Sequence, residues 1–297
     1  MMLPTYRLLR AKAARTKLRV PRVWSWHVGL KPQDIFQASY PRSGSTWLRF
    51  ILFEILKGEE AGFGKIDKCI PEIHQHRGVP PILPGGGRLI KTHEQYRKEY
   101  TRSVLLVRDI RDVLLSSHAR SVELGLAPLV SKGDFDSFMM AMLKGTALQM
   151  GSWQEHTRTW LDSPLAKNGN LMVVRYEDLR QKPEQVLGQL LEFLGVTADL
   201  RIIRKAIEDN SLQQMRAKED KSRRAGEQTA LLEVNKKIAE EGRFVRKGAV
   251  GGWRTQLTDA QIKIVHQYAG EMLATLGYES GLAEQPRTDS PISALSF

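Results

Sequence analysis

Residues 34 to 56 constrain the fold more than any other part of the chain, because they follow the pattern of a strand, a tight loop and a helix. Asp34 to Tyr40 (DIFQASY) predicts a short strand, and Pro41 to Thr46 (PRSGST) predicts a turn of small residues. From Trp47 to Leu56 the apolar residues recur at helical spacing. A unit of this kind directs the unpaired N–H groups at the start of its helix beyond the end of the strand.

Further predicted strands alternate with predicted helices along the chain. Strands are predicted at Arg88–His93, Ser103–Val107 and Leu171–Arg175, and the second of these is an almost continuous apolar run, typical of a buried parallel strand. The predicted helices cover residues 110–121, 138–161, 183–194, 200–207 and 259–276. This alternation predicts an α/β fold, with a single domain built around a central parallel sheet flanked by helices.

The 297 residues suit one large α/β domain. We expect a basic N-terminal arm at residues 1–30, the α/β domain at 31–279 and a disordered tail at 280–297. Residues 216–242 are highly charged and show little periodicity, which predicts a mobile surface segment.

The chain is basic, with a formal net charge of +12 at pH 7. This charge favours a phosphate-rich ligand, a nucleic acid or an acidic membrane surface, but it also fits a basic surface with no specific partner. The basic arm predicts either weak contact with a membrane surface or packing on the domain. Cys69 is the only cysteine, which excludes an internal disulfide. With no apolar stretch of about 18 residues and no signal-like segment, we expect a cytoplasmic protein.

The loop from Pro41 to Trp47 has the composition of a phosphate site, since backbone N–H groups and the helix dipole both favour an anion there. Gly44 allows the backbone to approach an anion closely, Ser45 and Thr46 add hydroxyl donors, and Arg42 adds a permanent charge. The spacing differs from the common Gly-x-x-x-x-Gly-Lys-Ser/Thr loop, which argues against an ordinary ATPase or GTPase. A small, polar helix cap without a ligand is the alternative.

Two more strand ends carry groups that suit chemistry on a phosphate-rich ligand. Arg108 follows one strand and Ser116 lies in the next helix, where both could reach a second phosphate. Lys91 and His93 are two residues apart in a strand and therefore point to the same side. A histidine can accept a proton near neutral pH, and a lysine can stabilise a developing negative charge. Because ligands of parallel sheets bind at the carboxyl ends of the strands, we expect these groups to converge.

The segment Phe244–Trp253 (FVRKGAVGGW) contains a basic turn suited to a phosphate, and a charged loop is its alternative interpretation. Together, the segments resemble the PAPS-dependent sulfotransferase family, and most closely its cytosolic branch. PRSGSTW is similar to the family's 5′-phosphosulfate loop, VRDIRDVLLSS to its 3′-phosphate motif, and FVRKGAVGGW and VVRYEDL to two further family segments. They occur in the family's order between about residues 36 and 276.

The resemblance implies a role for each matching residue. Arg42 and the backbone of Ser43 to Thr46 would hold the 5′-phosphosulfate of the donor PAPS. The 3′-phosphate would be bound by Arg108, Ser116, Arg246, Lys247 and Gly248. The adenine would be held by Trp47, Tyr176 and Ser211. His93 would be the general base and Lys91 would stabilise the moving sulfuryl group, with assistance from Arg42 to the leaving phosphate.

The implied reaction is in-line transfer of a sulfuryl group from PAPS to a hydroxyl or amine, releasing PAP, with no metal and no covalent enzyme intermediate. The acceptor would be a small molecule or a glycan, and no nucleic-acid partner is expected. Four aromatic residues either line an apolar acceptor pocket or belong to the core: Phe135, Phe138, Trp153 and Trp160.

The chain departs from the family pattern at several positions. Arg42 replaces the loop lysine, Leu212 replaces a frequent aromatic residue beside the adenine, and Gly252 replaces an aspartate. The family's dimerisation signature is altered at Asp259 and Lys263, which argues against a family-type dimer. Three other interpretations stay open at this point: an atypical P-loop kinase or NTPase, a non-enzymatic polyanion-binding protein, and a sulfotransferase fold without activity.

Overall fold

The computed structural model describes residues 25–123, 134–227, 244–246 and 248–282. Its sheet has four parallel strands in the order β2-β1-β3-β4. The strands are β1 (Ile35–Ser39), β2 (Leu89–Thr92), β3 (Ser103–Val107) and β4 (Leu171–Arg175). All four lie where the sequence predicts them, and the parallel α/β architecture is confirmed.

Helices connect the strands and cover both faces of the sheet. They are α1 (Ser45–Lys57), α2 (Ile110–Glu123), α3 (Phe135–Leu143), α4 (Trp153–Leu161), α5 (Pro164–Lys167), α6 (Tyr176–Gln181), α7 (Pro183–Phe193), α8 (Leu200–Asp209), α9 (Leu212–Arg224), α10 (Trp253–Gln256) and α11 (Asp259–Thr275), with a 3₁₀ turn at Ile66–Lys68. Among the described residues no helix is both long enough and apolar enough to cross a membrane.

The central strand β3 is almost continuously apolar because alternate side chains enter two different layers of the core. In β3, Val104 and Leu106 pack in the layer that contains α1 and α7, while Leu105 and Val107 pack with Trp160 on the opposite face. This pattern is expected for a parallel sheet that is covered on both sides. Trp160 therefore belongs to the core, as do Trp153 and Phe138, which are also buried, while Phe135 is partly exposed and packs against the core.

The predicted helix over residues 138–161 is wrong in one respect, since it is two helices separated by residues 144–152. Gly145 and Gly151 have φ of 71° and 79°, which a continuing helix does not allow. Ser152 then starts α4 with a capping box closed by Glu155. The glycines end one helix and the Ser-x-x-Glu pattern begins the next.

The charged segment predicted to be mobile is helical as far as Arg224. The segment shows no apolar periodicity because two of its buried positions are occupied by charged residues that have partners elsewhere in the chain. Lys218 Nζ lies 2.7 Å from Glu54 Oε1, and Glu219 accepts hydrogen bonds from the N–H groups of Phe244 and Val245. Residues 228–242 of that segment lie outside the described residues, as do the first 24 residues and most of the C-terminal tail. The proposed division into arm, domain and tail stays a prediction.

Candidate active site

A cleft opens at the carboxyl ends of β1, β2 and β3, where the predicted groups converge. The sequence-predicted residues that line it are Arg42, Gly44, Ser45, Thr46, Trp47, Lys91, His93, Arg108, Ser116, Tyr176, Arg246 and Gly248. The convergence of the three polar strand ends is therefore confirmed. The parallel sheet brings these distant segments together because all its strands end at the same edge.

The loop that precedes α1 presents backbone donors at one end of this cleft. The first hydrogen bond of the helix joins the Leu48 N–H to the Gly44 carbonyl at 3.2 Å, so the N–H groups of residues 45–47 precede the helical ladder. The Ser43 N–H instead donates to the Tyr40 carbonyl at 3.3 Å within the turn. The candidate donors for an anion are thus the N–H groups of the helix start itself.

Gly44 is required by a close approach as well as by its backbone conformation. Its φ is 94°, and a Cβ at this position would lie 2.5 Å from Cδ2 of Tyr176. The Tyr176 ring is fixed in turn by its hydroxyl, which donates to the Gly248 carbonyl at 3.0 Å. Trp47 meets the same ring edge to face, with 5.9 Å between the ring centroids. The tyrosine therefore connects the α1 loop to the basic turn near residue 248.

Arg108 makes a second connection between the same two segments. Its Nη1 donates to the Arg42 carbonyl at 3.1 Å and its Nη2 donates to the Ala249 carbonyl at 2.8 Å. The guanidinium lies over the Tyr176 ring at 4.6 Å from the centroid. Its buried Nε has no hydrogen-bond partner among the described residues. A buried cationic donor left unsatisfied in this way fits a site for an anion.

Arg42 and Ser116, which the resemblance assigns to different phosphates, contact each other directly. Arg42 Nε donates to Ser116 Oγ at 3.0 Å, and Nη2 donates to the Phe244 carbonyl at 3.3 Å. The Arg42 side chain thus lies toward α2 and the segment at residue 244. Its φ of 70° is the one positive value of a non-glycine residue in the described part of the chain, so the loop stores some backbone strain.

Asp112 positions the basic turn from the α2 side. Its Oδ2 accepts from the Gly251 N–H at 2.9 Å, and its Oδ1 accepts from the Trp253 N–H at 3.1 Å. Arg111 is fully buried, pairs with Asp109 at 2.7 Å and lies over the Trp253 ring. Both side chains fix the backbone that leads from the basic turn into α10.

His93 has the hydrogen bond that a general base needs. Its Nδ1 lies 2.6 Å from the Ser39 carbonyl oxygen. Because a carbonyl only accepts, Nδ1 carries the proton of the neutral ring and Nε2 keeps its lone pair. Burial lowers the pKa of His93, and the nearby Lys91 ammonium lowers it further. The imidazole is therefore neutral at physiological pH and able to accept a proton.

Two predicted residues are placed differently from the rest, and one is not described. Ser211 is exposed and caps α9, where its hydroxyl accepts from the Gln214 N–H at 3.4 Å. Leu212 and Met215, from the same segment, line the cleft in its place. Ser43 is buried behind the cleft wall. Lys247 lies outside the described residues.

The family model described as the sulfotransferase domain matches residues 32–277. The chain belongs to the sulfotransferase family. The family resemblance is thereby confirmed, together with the assignment of the chain to the PAPS-dependent sulfotransferase enzymes.

Individual sulfotransferases match most of the chain at modest identity. Bovine sulfotransferase 1E1 is 26% identical over 253 residues, which cover 77% of this chain and 80% of the relative. Mouse sulfotransferase 1A1 is 27% identical over 251 residues, with 77% and 81% covered.

Two solved structures share the fold at lower identity. Mouse sulfotransferase SULT7A1 complexed with PAP has a TM-score of 0.60 and 22% identity, and the match covers 82% of this chain and 85% of that one. Retinol dehydratase in complex with androsterone and PAP has a TM-score of 0.63 and 20% identity, with 84% and 82% covered.

The sulfotransferase cleft also contains residues that the sequence did not point to. Arg180 lies over the Trp47 ring at 5.2 Å from the centroid, and it follows Tyr176 by four residues on α6. That i, i+4 spacing puts both side chains on one face of the helix and could have indicated it. Phe244, the first residue of the segment FVRKGAVGGW, and Gln256 line the cleft as well. The sequence assigned no role to the Phe244 side chain, and no local signal marks Gln256, which reaches the cleft only through tertiary packing.

Proposed function

We propose that this sulfotransferase transfers a sulfuryl group from PAPS to a hydroxyl or amine of a small-molecule acceptor and releases PAP. One observation carries the proposal: a helix-start loop, two cationic segments and a neutral histidine line the same cleft. PAPS has a 3′-phosphate, a 5′-phosphate and a sulfate, so it requires separate anion sites beside a base. The cytoplasmic location, the membrane contact and the absence of a family-type dimer stay predictions.

The donor nucleotide would bind along the cleft by its charged groups. The N–H groups of residues 45–47 would hold the 5′-phosphate, as expected of a helix start. Arg108, with its unsatisfied Nε, would bind the 3′-phosphate together with Ser116 and Arg246. Arg42, which donates a hydrogen bond to Ser116, would bridge the two phosphate sites. Lys247 and Gly248 would complete the 3′-phosphate site.

The adenine would lie between aromatic and apolar side chains. Trp47 and Tyr176 line this part of the cleft and are already fixed to each other edge to face. Leu212 and Met215 supply apolar surface on the α9 side. The Ser211 hydroxyl caps α9. The contact of this segment with the adenine would therefore come from Leu212 and Met215.

The reaction would be a single in-line displacement at sulfur. His93 Nε2 takes the proton of the acceptor hydroxyl or amine while the acceptor oxygen or nitrogen forms a bond to sulfur. The bond between sulfur and the bridging 5′-phosphate oxygen breaks, and its electron pair stays on PAP. Lys91 and the N–H groups of the α1 start stabilise the charge on the transferred group and the leaving phosphate. The products are the sulfated acceptor, PAP and one proton on His93.

The acceptor class is supported only by comparison. Retinol dehydratase is in complex with androsterone in one solved structure and with retinol in another, each together with PAP. Both molecules are apolar and carry a single hydroxyl, which favours a small apolar alcohol over a glycan for this chain as well. An acceptor screen with sulfur-labelled PAPS, over phenols, sterols, alkyl alcohols and amines, would test this choice.

Calorimetric titration with PAP tests the donor site directly. We expect saturable binding to the wild-type chain and a loss of at least tenfold in affinity in Arg108→Ala, because charged hydrogen bonds contribute about 1.5–3 kcal/mol each. Arg201→Ala is the matched control, since this arginine is 88% exposed, pairs with Asp199 and is not among the residues that line the cleft. A folded protein that binds heparin in a salt-sensitive manner but does not bind PAP would support the polyanion-binding alternative instead.

A further inference from the structure

Glu72, a residue of no recognised motif, contacts the proposed sulfuryl-stabilising lysine. The Lys91 ammonium lies 2.6 Å from Glu72 Oε1, and the two side chains are 4% and 19% exposed. The contact is built into the backbone, because Glu72 pairs with Lys91 in a parallel bridge beside β2. The Lys91 N–H donates to the Pro71 carbonyl and the Ile73 N–H donates to the Lys91 carbonyl, both at 2.8 Å. Two backbone hydrogen bonds therefore hold the carboxylate beside the ammonium.

The buried position of Lys91 and the positive charge of Arg49 nearby make the Glu72 carboxylate necessary to keep the lysine charged. Arg49 of α1 adds a second buried cation, which is paired with Asp67 at 2.6 Å. His93 is neutral, and it lies close enough for the Lys91 charge to lower its pKa. Of the groups that face Lys91, only Glu72 makes an ion pair with it among the described residues. Loss of Glu72 would leave a desolvated ammonium facing Arg49, which disfavours the charged form.

Glu72 itself faces one further titratable group. His74 Nδ1 lies 3.7 Å from Glu72 Oε2, and this histidine is 34% exposed. Burial alone would raise the pKa of Glu72, but the Lys91 ammonium and its neighbours lower it to about 2. The carboxylate is therefore charged at neutral pH, where it compensates the charge of the lysine.

We propose that Glu72 is a positioning residue that keeps Lys91 charged and holds its ammonium at the cleft wall beside His93. This inference rests on the proposed function, in which the charged Lys91 stabilises the transferred sulfuryl group. Burial lowers the pKa of Lys91 and Glu72 opposes that change. The pair thus lets a lysine that is almost inaccessible to water keep its charge while the neighbouring histidine stays a free base.

The Lys91 titration can be measured without any acceptor. The protein is labelled with ¹³C-lysine, and the Cε signal of Lys91 is followed against pH after assignment with Lys91→Arg. In Glu72→Gln, which preserves shape and removes the charge, we expect the midpoint to move to lower pH by about one unit or more. Glu271→Gln is the control, because this glutamate is 78% exposed and pairs with a surface arginine. An unchanged midpoint in folded Glu72→Gln would overturn the proposal.

Two further variants keep the test decisive. Glu72→Asp retains the charge and should restore most of the wild-type midpoint, which a purely structural role for the side chain would not produce. If Glu72→Gln does not fold, Lys91→Met tests the same ion pair by removing the lysine instead of the carboxylate. The Glu72 carboxyl, followed by ¹³C-glutamate labelling, should then titrate at higher pH than in the wild type, and an unchanged value would overturn the proposal.

PAP calorimetry separates this inference from the proposed function. Glu72→Gln should bind PAP within about twofold of the wild type, since no nucleotide contact is assigned to it. Failure of the wild type to bind PAP would remove the function but leave the Lys91 titration as measured. Normal PAP binding with an unshifted Lys91 midpoint would remove the positioning role alone.

Discussion

The two halves of the cleft handle charge by different physical means. On the nucleotide side, permanent cations and backbone N–H groups face the ligand, and arginines such as Arg108 bridge backbone carbonyls of distant segments. On the transfer side, Glu72, Lys91 and His93 are titratable groups brought together in a poorly solvated wall. We expect the first half to bind anions through charges that do not titrate near neutral pH, whereas the function of the second half depends on which group carries the proton. Binding and turnover should therefore respond separately to mutation.

The largest effect should come from His93→Gln, which removes the proposed base from the transfer side. Turnover should fall by about 10²- to 10⁴-fold, the usual contribution of general base catalysis. PAP affinity should change little, because the nucleotide contacts lie on other segments. Turnover is followed by transfer from labelled PAPS and affinity by calorimetry. A variant that kept its turnover would show that another group accepts the proton.

Gly44→Ala should weaken nucleotide binding through a steric clash. The new Cβ would meet the Tyr176 ring at 2.5 Å, so the ring that supports both Trp47 and the basic turn must move. We expect at least a tenfold loss of PAP affinity. Gly58→Ala is the matched control, because Gly58 has a similar positive φ of 67°, but a Cβ added there would meet none of the described residues within 4 Å. Equal effects of the two variants on PAP binding would attribute the loss to backbone strain alone.

The difference between the halves also decides what the sequence could predict. Most of the residues that line the nucleotide side could be predicted from the sequence, because they lie in short contiguous segments such as residues 41–47, whose backbone conformation their own composition favours. The strands were equally clear, since their apolar runs fit a sheet buried on both faces. Local signals of this kind do not depend on distant parts of the chain.

The misses share a long-range cause. The Glu72–Lys91 pair depends on the register in which the loop containing Glu72 pairs with β2, and no local sequence pattern encodes that register. Helix α9 looked like a mobile segment because its stability depends on Lys218 reaching Glu54 and on Glu219 binding residues 244 and 245. The break at Gly145 was missed because a helical pattern continues on both sides of it. Ser211 matched a family position, yet it caps a helix.

The pH dependence of kcat/KM should sharpen the comparison further. Burial and the Lys91 charge lower the pKa of His93 to about 3, so the base stays unprotonated well below pH 6.5. The acidic limb of the profile should therefore lie below pH 6. PAP affinity should stay nearly constant between about pH 7.5 and 9, because there the arginines stay charged and the phosphates of PAP are fully ionised. An acidic limb at or above pH 6.5 would show that His93 is more solvated than its burial indicates.

The smallest effect concerns Arg42, where this chain has arginine and the family has lysine. A lysine ammonium has its three donors on a single nitrogen, so it lacks the two separate nitrogens, Nε and Nη2, with which Arg42 reaches Ser116 and the Phe244 carbonyl. Arg42→Lys should weaken PAP binding by about three- to tenfold, as expected for the loss of one charged hydrogen bond. Ser116→Ala should have a similar effect, and the double variant should lose less than the product of the two, because both remove the same contact. Additive losses would mean that the arginine and the serine bind the nucleotide independently. In that case the two phosphate sites would be separate, and the nucleotide side would be less rigid than the contact between Arg42 and Ser116 implies.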